Sequence, residues 1–440
     1  MVYRKVINQC IAIGLGACLS GGSLSAQTDS LFLTVGQLFE LGMENSLPIQ
    51  ADKIRERQAK EQSQTARQAQ LPDIEIGLNG GYVGQPILFE RGLSHPTRPE
   101  SPDWSQNYAL NLTQPIYQGG RIKKSIRRAD IERQIALLQT RTDQADIKLG
   151  LLQQYMNLFS YYKQRDVLVR NIEESERRLK DIKRLKEEGV ITNNDVLRSE
   201  LQLTTDRLAL QETENTLILL SQQLDILLGL DEHLYIIPDT SLLSHSTPTE
   251  GYLQYVEEAY AHDPAMLLAR QQTLLAQNEV ELTKADNRPT VSLYAGNTLA
   301  RPVQRTLADM YNNTWNIGLS VAYSLSSLYK NKHRLNAARL NVHLRENEEE
   351  QLKQSSRLTI RTAYLRHQEA IDRVEALKLS VRQAQENYRI VQNRYLSQLA
   401  ILTDLLDANS VLLDAELQLT TARTQVVYTY YELQHACGRL

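Results

Sequence analysis

The chain has 440 residues, with 49 Lys and Arg against 52 Asp and Glu, so its formal net charge is −3. That balance leaves no basic footprint for nucleic acid. Only 20 Gly and 12 Pro argue against many short elements and for long helices.

The N-terminus reads as a secretion signal. Arg4 and Lys5 precede a mostly apolar stretch from Val6 to Leu19, and small residues continue to Ala26. Cleavage after Ala26 is the first expectation, making residues 1–26 a signal peptide. Leu15-Gly16-Ala17-Cys18 also fits a lipoprotein box, which would put a lipid on Cys18, but a cut there leaves a short apolar core. With cleavage at Ala26 only Cys437 remains, and no intramolecular disulfide can form. No later apolar run is long enough for a transmembrane helix, which leaves a periplasmic, secreted or β-barrel protein.

Thr34 and Gln37 have the spacing of a capping box and open a helix. Asn45-Ser46-Leu47-Pro48 interrupts it, with Pro48 suited to the first turn of the next helix. Helical sequence is expected over 34–70. The pattern then changes to period two. Asp73 to Tyr82 puts Ile74, Ile76 and Leu78 on one face, and Asn107 to Thr113 alternates Tyr108, Leu110 and Leu112 with Asn107, Asn111 and Thr113. Strands are predicted over 73–82 and 104–117, joined by a polar loop from Val83 to Asp103. The segment QPIYQGG (Gln114 to Gly120) turns strand into helix. A long helix and its return are expected over 118–230, folded around RLKEEGVITNNDVL (Arg184 to Leu197). The outgoing arm would be roughly 100 Å at about 1.5 Å per residue. Its apolar positions recur at threes and fours, as in Ile131, Ile135 and Leu138, and its polar faces are rich in Gln, Thr, Ser and Asn.

The same plan then recurs. Leu110 pairs with Leu319, Tyr155 with Tyr364 and Asp195 with Asp404, all at one constant offset. A repeat of that length implies a duplicated half-molecule. The first repeat spans 27–247. The second spans 248–440, with helices expected over 250–287 (capped by Asp263) and 327–437, and strands over 289–301 and 314–325. Its tip is RYLSQLAILTDLLDA (Arg394 to Ala408). Trp104 and Trp315 both open the second strand of their pair. Four strands cannot close a barrel alone, yet nothing else in the chain is placed to cover their apolar face.

Nothing points to an enzyme, a cofactor or a metal. The 8 His lack ligand spacing, no Gly-rich phosphate loop comes after a strand, and no nucleophile motif is present. Glu348, Glu349 and Glu350 are expected to form a solvated helix face.

With these features together, Leu31 to Gly438 resembles the TolC-like outer membrane efflux proteins, most specifically in QPIYQGG and the two tips. The resemblance implies a mixed fold, α-helical with a transmembrane β-barrel, built from two repeats that each pair a β-hairpin with long antiparallel coiled-coil helices. It implies a homotrimer whose strands form one twelve-stranded barrel in outer membrane lipid and whose helices form a periplasmic tunnel. It further implies a passive exit duct for efflux or type I secretion, docked by a periplasmic adaptor (membrane fusion protein) and an inner-membrane pump of RND or ABC type. The alternative is a structural periplasmic coiled-coil protein.

Carried over by position, Gly189, Val190, Gln398 and Leu399 form the adaptor-docking tips, with Gly189 supplying an unusual backbone angle. Asp195, Tyr395, Asp404 and Asp407 form the periplasmic gate. The family commonly has glycine where this chain has Gln398. A relative with arginine at the position of Ala400 ties its closed mouth to the first tip, a link Ala400 cannot make. The resemblance implies a hydroxyl–carboxylate bond between Tyr395 and Asp195. Asp404 and Asp407, three apart, share a helix face, and in a trimer would ring the constriction with carboxylates. The plainer alternative for both is a solvated helix start.

Overall fold

A computed structural model describes residues 30–85, 87–100, 102–244, 250–301 and 309–440. The expected signal peptide and Cys18 lie outside the described residues.

The N-terminal half begins with a short strand β1 (Ser30–Leu33), then α1 (Val35–Asn45) and α2 (Leu47–Gln68). Thr34 caps α1 through the expected box: its Oγ1 accepts from the Gln37 N–H at 3.3 Å and the Gln37 side chain accepts from the Thr34 N–H at 3.1 Å. The interruption expected at Asn45–Pro48 falls at Ser46, which is extended and ends α1. Pro48 sits in the first turn of α2, where its missing N–H has no partner to lose. Strands β2 (Asp73–Tyr82) and β3 (Trp104–Gln118) come next, then α3 (Arg121–Glu187) and α4 (Asn193–Leu228). After β4 (Tyr235–Pro238) and a 3-10 turn (Thr240–Ser244), the order of helices and strands is met again. These are α5 (Tyr252–His262), α6 (Pro264–Ala285), β5 (Thr290–Arg301), β6 (Asn312–Ala322), α7 (Ser327–Leu396) and α8 (Leu402–Ala436). Asp263 caps α6 by accepting from the Ala265 N–H at 2.9 Å.

Two elements escape the sequence patterns. β1 and β4 pair in parallel, Ser30 opposite Tyr235 and Leu33 opposite Pro238. At four residues each they are too short to show a period. Tyr155 joins them to α3: its hydroxyl donates to the Leu33 carbonyl at 2.6 Å and accepts from the Asp239 N–H at 2.8 Å. Around it Leu38, Leu152, Leu158, Leu224 and Leu228 form the main hydrophobic core, beside the middle of the long helices.

The four long strands form one antiparallel sheet in the order β2-β3-β5-β6. Its register sorts side chains by face, because directly opposed residues point the same way. Ile76 opposes Leu110, and Leu110 opposes Asn297, which opposes Trp315. Ile74, Leu78, Tyr108, Ile317, Leu319 and Val321 share that face, and all are exposed. The other face carries Glu75, Asn111, Gly296 and Asn316 in one row and Asn79, Asn107, Ala300 and Asn312 in another. Tyr82 and Trp104 stack edge to face at the sheet rim, 5.9 Å between centroids.

At the exit of β3, Gly119 and Gly120 have φ of 63° and 87°. A Cβ on Gly119 would stand 2.6 Å from the Ala285 carbonyl oxygen at the end of α6. Glycine there serves both the left-handed turn and the close packing. Among the glutamates expected to be solvated, Glu349 differs. It turns toward α6, with Arg270 at 3.8 Å and Lys353 at 3.4 Å, while Glu348 and Glu350 pair along α7.

Candidate functional site

The end of the molecule far from the sheet holds two turns, and they are built alike. At the end of α3 the Gly189 N–H donates to the Lys186 carbonyl at 2.9 Å and the Val190 N–H reaches back to Leu185 at 2.9 Å. At the end of α7 the Gln398 N–H donates to Tyr395 at 2.9 Å and the Leu399 N–H to Arg394 at 2.7 Å. This double return of N–H groups over a left-handed residue closes a helix C-terminus. Gly189 has φ 76° and Gln398 has φ 60°. Gln398 therefore replaces the usual glycine without changing the turn, at the strain a side chain meets in that region.

The helices after the turns also start alike. Asp195 accepts from the Thr192 N–H at 3.0 Å and from its hydroxyl at 2.7 Å. Asp404 accepts from the Ile401 N–H at 3.4 Å. Both carboxylates stand in the first turn, where unpaired N–H groups favour negative charge. Beyond the turns Val190, Leu399 and Ile401 are exposed. Asp404 and Asp407 lie exposed on one side of α8, opposite the buried Leu402, Leu405 and Ala408. Asp407 makes no hydrogen bond or ion pair among the described residues.

The bond expected between Tyr395 and Asp195 is not formed within the chain. Asp195 Oδ2 accepts both bonds of the α4 cap, and the buried Tyr395 hydroxyl has no hydrogen-bond partner among the described residues. The two are nevertheless close. Burial first, and then the Asp195 charge, push the Tyr395 hydroxyl above its ordinary pKa. Tyr395 acts as an apolar filler, packed with Ile182, Val196, Leu402 and Leu405 between the two hairpins.

About three turns from the tips the seam between the hairpins is polar, and the sequence patterns carry no sign of it. Arg178 of α3 is 7% exposed. It donates to the Tyr388 hydroxyl of α7 at 3.1 Å, to Asn409 Oδ1 of α8 at 3.2 Å and to its neighbour Ser175 at 2.7 Å. Ser175 donates in turn to Asp206 of α4 at 3.0 Å, and Asn409 Nδ2 donates to Asn171 of α3 at 3.1 Å. All four helices meet in this network. A charge so buried is tolerated because its donors are paired. Removing a partner leaves it orphaned.

No group of His, Cys, Asp and Glu among the described residues could hold a metal ion. No described helix is long and apolar enough to cross a membrane.

The family profile described as outer membrane efflux protein matches residues 39–230 and 255–439. No curated protein sequence matches. Among solved structures, the outer membrane protein VceC of Vibrio cholerae is 17% identical with a TM-score of 0.75, over 92% of this chain and 96% of its own. CusC is 16% identical with a TM-score of 0.77, over 92% of each chain. The open state of the MtrE outer membrane channel of Neisseria gonorrhoeae is 16% identical with a TM-score of 0.73, over 92% of this chain and 88% of its own. At such identities the likeness is one of fold.

Proposed function

This chain belongs to the outer membrane efflux protein family, and from that premise we propose that three copies form a passive exit duct across the outer membrane and periplasm. The observation that carries this reading is the four-stranded sheet with two open edges and one uncovered apolar face. In lipid an open edge would leave backbone groups unpaired. Joining β6 of one copy to β2 of the next removes every edge after three copies, giving twelve strands. Strands of 10 to 15 residues suit the roughly 9–11 needed to cross a bilayer. The apolar face would meet lipid, with Trp104, Tyr82 and Trp315 near its borders, and the Asn-rich face would line the lumen. We read the matched halves as a duplication, each contributing one hairpin to the barrel and one to the tunnel.

The periplasmic mouth lies at the two tips. Exposed Val190 and Leu399, on turns fixed by Gly189 and Gln398, offer the docking surface for a periplasmic adaptor, which links the duct to an inner-membrane pump of RND or ABC type. Asp404 and Asp407 present carboxylates at the constriction, and Asp195 and Tyr395 hold the tips' shape. The Arg178 network ties the two hairpins of a chain together, the role that Ala400 leaves open at the tips. Opening requires α7 and α8 to part from α3 and α4, which breaks the bonds from Arg178 to Tyr388 and Asn409.

The test is extraction of the outer membrane fraction with detergent, then cross-linking and sizing. A heat-modifiable trimer is expected. A soluble monomer that needs no detergent would overturn the reading and favour a periplasmic coiled coil.

A further inference from the structure

We propose that a cleft between α3, α6 and α7, within four turns of the strand–helix junctions, binds an organic phosphate that carries its own hydroxyl or amine donor, of the polyol phosphate class. The cleft has a volume of about 480 Å³ and is built from one chain. Its extent falls in the range of small-molecule sites, roughly 300–1,000 Å³. The proposal goes beyond the duct reading, because the site is complete without a barrel or a second copy.

Three observations converge. The first is unpaired positive charge. Nearby cations are mostly spoken for: Arg121 and Arg334 pair with Asp286, and Arg128 with Glu132 and Glu279. Arg127 of α3 and Arg339 of α7 line the cleft and have no ion pair among the described residues. Lys332 stands seven residues before Arg339, on the same side of α7 by helical spacing. The one carboxylate in the lining, Glu281, is paired with Lys284 at 2.7 Å and Lys124 at 3.5 Å. Two free guanidinium forks suit the paired oxygens of a phosphate.

The second is Asn278, which lines the cleft and is 4% exposed. Its Nδ2 donates to the Lys124 carbonyl at 2.9 Å, and its Oδ1 is buried with no hydrogen-bond partner among the described residues. A buried acceptor calls for a donor, which a phosphate ester with a free hydroxyl or amine supplies. The third is the apolar part of the lining, Leu274 and Val342, which favours an organic body over a bare ion. A free polyol phosphate and the headgroup of phosphatidylglycerol share this chemistry.

Calorimetry on the purified protein with sn-glycerol 3-phosphate and with inorganic phosphate tests the soluble source. Native mass spectrometry from phosphatidylcholine nanodiscs, with and without phosphatidylglycerol, tests the lipid source. One glycerol phosphate per chain is expected, weakened about tenfold or more by Arg127→Gln with Arg339→Gln. Asn278→Leu should erase the preference for glycerol phosphate over inorganic phosphate. Retention of phosphatidylglycerol alone, lost in the same double variant, would also support the site and assign it to a headgroup. Absence of binding in both arms, or binding indifferent to both variants, would overturn the proposal. A folded protein that binds but makes no pores would contradict the duct and leave the cleft standing.

Discussion

The Arg178 guanidinium donates to the Tyr388 hydroxyl at 3.1 Å, across 210 residues of chain and across the seam between the two hairpins. That bond and its companion to Asn409 are buried polar ties between the hairpins, with Arg198 donating to Thr403 at 2.6 Å nearer the tips, and on the proposed reading mouth opening breaks them. A hydrogen bond to a charged group contributes about 1.5–3 kcal/mol. Tyr388→Phe should therefore raise the resting conductance of the protein in planar bilayers, and Arg178→Met should raise it further. Tyr395→Phe should leave it nearly unchanged, since the Tyr395 hydroxyl has no hydrogen-bond partner among the described residues. Equal effects of the two Tyr→Phe changes would place closure at the tips instead.

The paired turns allow a test with opposite signs. At φ 60° Gln398 carries strain that glycine avoids, whereas Gly189 at φ 76° is already relaxed. Gln398→Gly should raise thermal stability slightly, by about 0.5–1 kcal/mol after the entropy of glycine is deducted. Gly189→Ala should lower it by about 1–2 kcal/mol. Thermal unfolding of the two variants checks this, and a shift in the same direction would show that the turns are not equivalent.

Much of this architecture is legible in the sequence because it rests on local periodicity. The strand over 73–82 is marked by the alternation of Ile74, Ile76 and Leu78, and the turns by RLKEEGVITNNDVL and its partner. The helix-start alternative is legible for Asp404, which stands in the first turn of α8, whereas the matching place of Asp195 on α4 shows only in the structure. The Arg178 network is illegible for the opposite reason. Arg178, Tyr388, Asn409 and Asp206 come from four helices, and a helical pattern shows each only as a polar or aromatic residue on a long amphipathic stripe. The β1–β4 pair is hidden likewise, since the partners lie some 200 residues apart and neither alternates long enough to register.

Stability should depend on pH through Asp225. Its side chain is buried near the end of α4, both oxygens lack hydrogen-bond partners among the described residues, and burial, with the Asp231 charge, pushes its carboxyl up to about 6. An unfolded aspartate titrates near ~3.9. Between these values the folded chain holds a proton that the unfolded chain has released, so stability falls as pH rises through this window and stays lower above it. Asp225→Asn should raise the unfolding free energy at pH 7.5, by at most about 3 kcal/mol, and have little effect at pH 4. Urea titrations at the two pH values decide it, and an equal effect at both would remove Asp225 as the cause.

Docking at the tips is expected to fail when charge is placed on the exposed apolar turn. Val190→Asp should abolish export in cells while the trimer still forms in the outer membrane. Normal export by this variant would place the docking surface elsewhere.

Single-channel recording of the purified protein in planar bilayers, under a salt gradient, most directly tests whether three chains make a duct with a carboxylate-lined mouth. The expected result is discrete cation-selective openings, blocked by multivalent cations from the tip side, with both properties weakened when Asp404 and Asp407 are changed together to Asn. Protein that inserts without any conductance, or a double variant that keeps full selectivity and block, would contradict it.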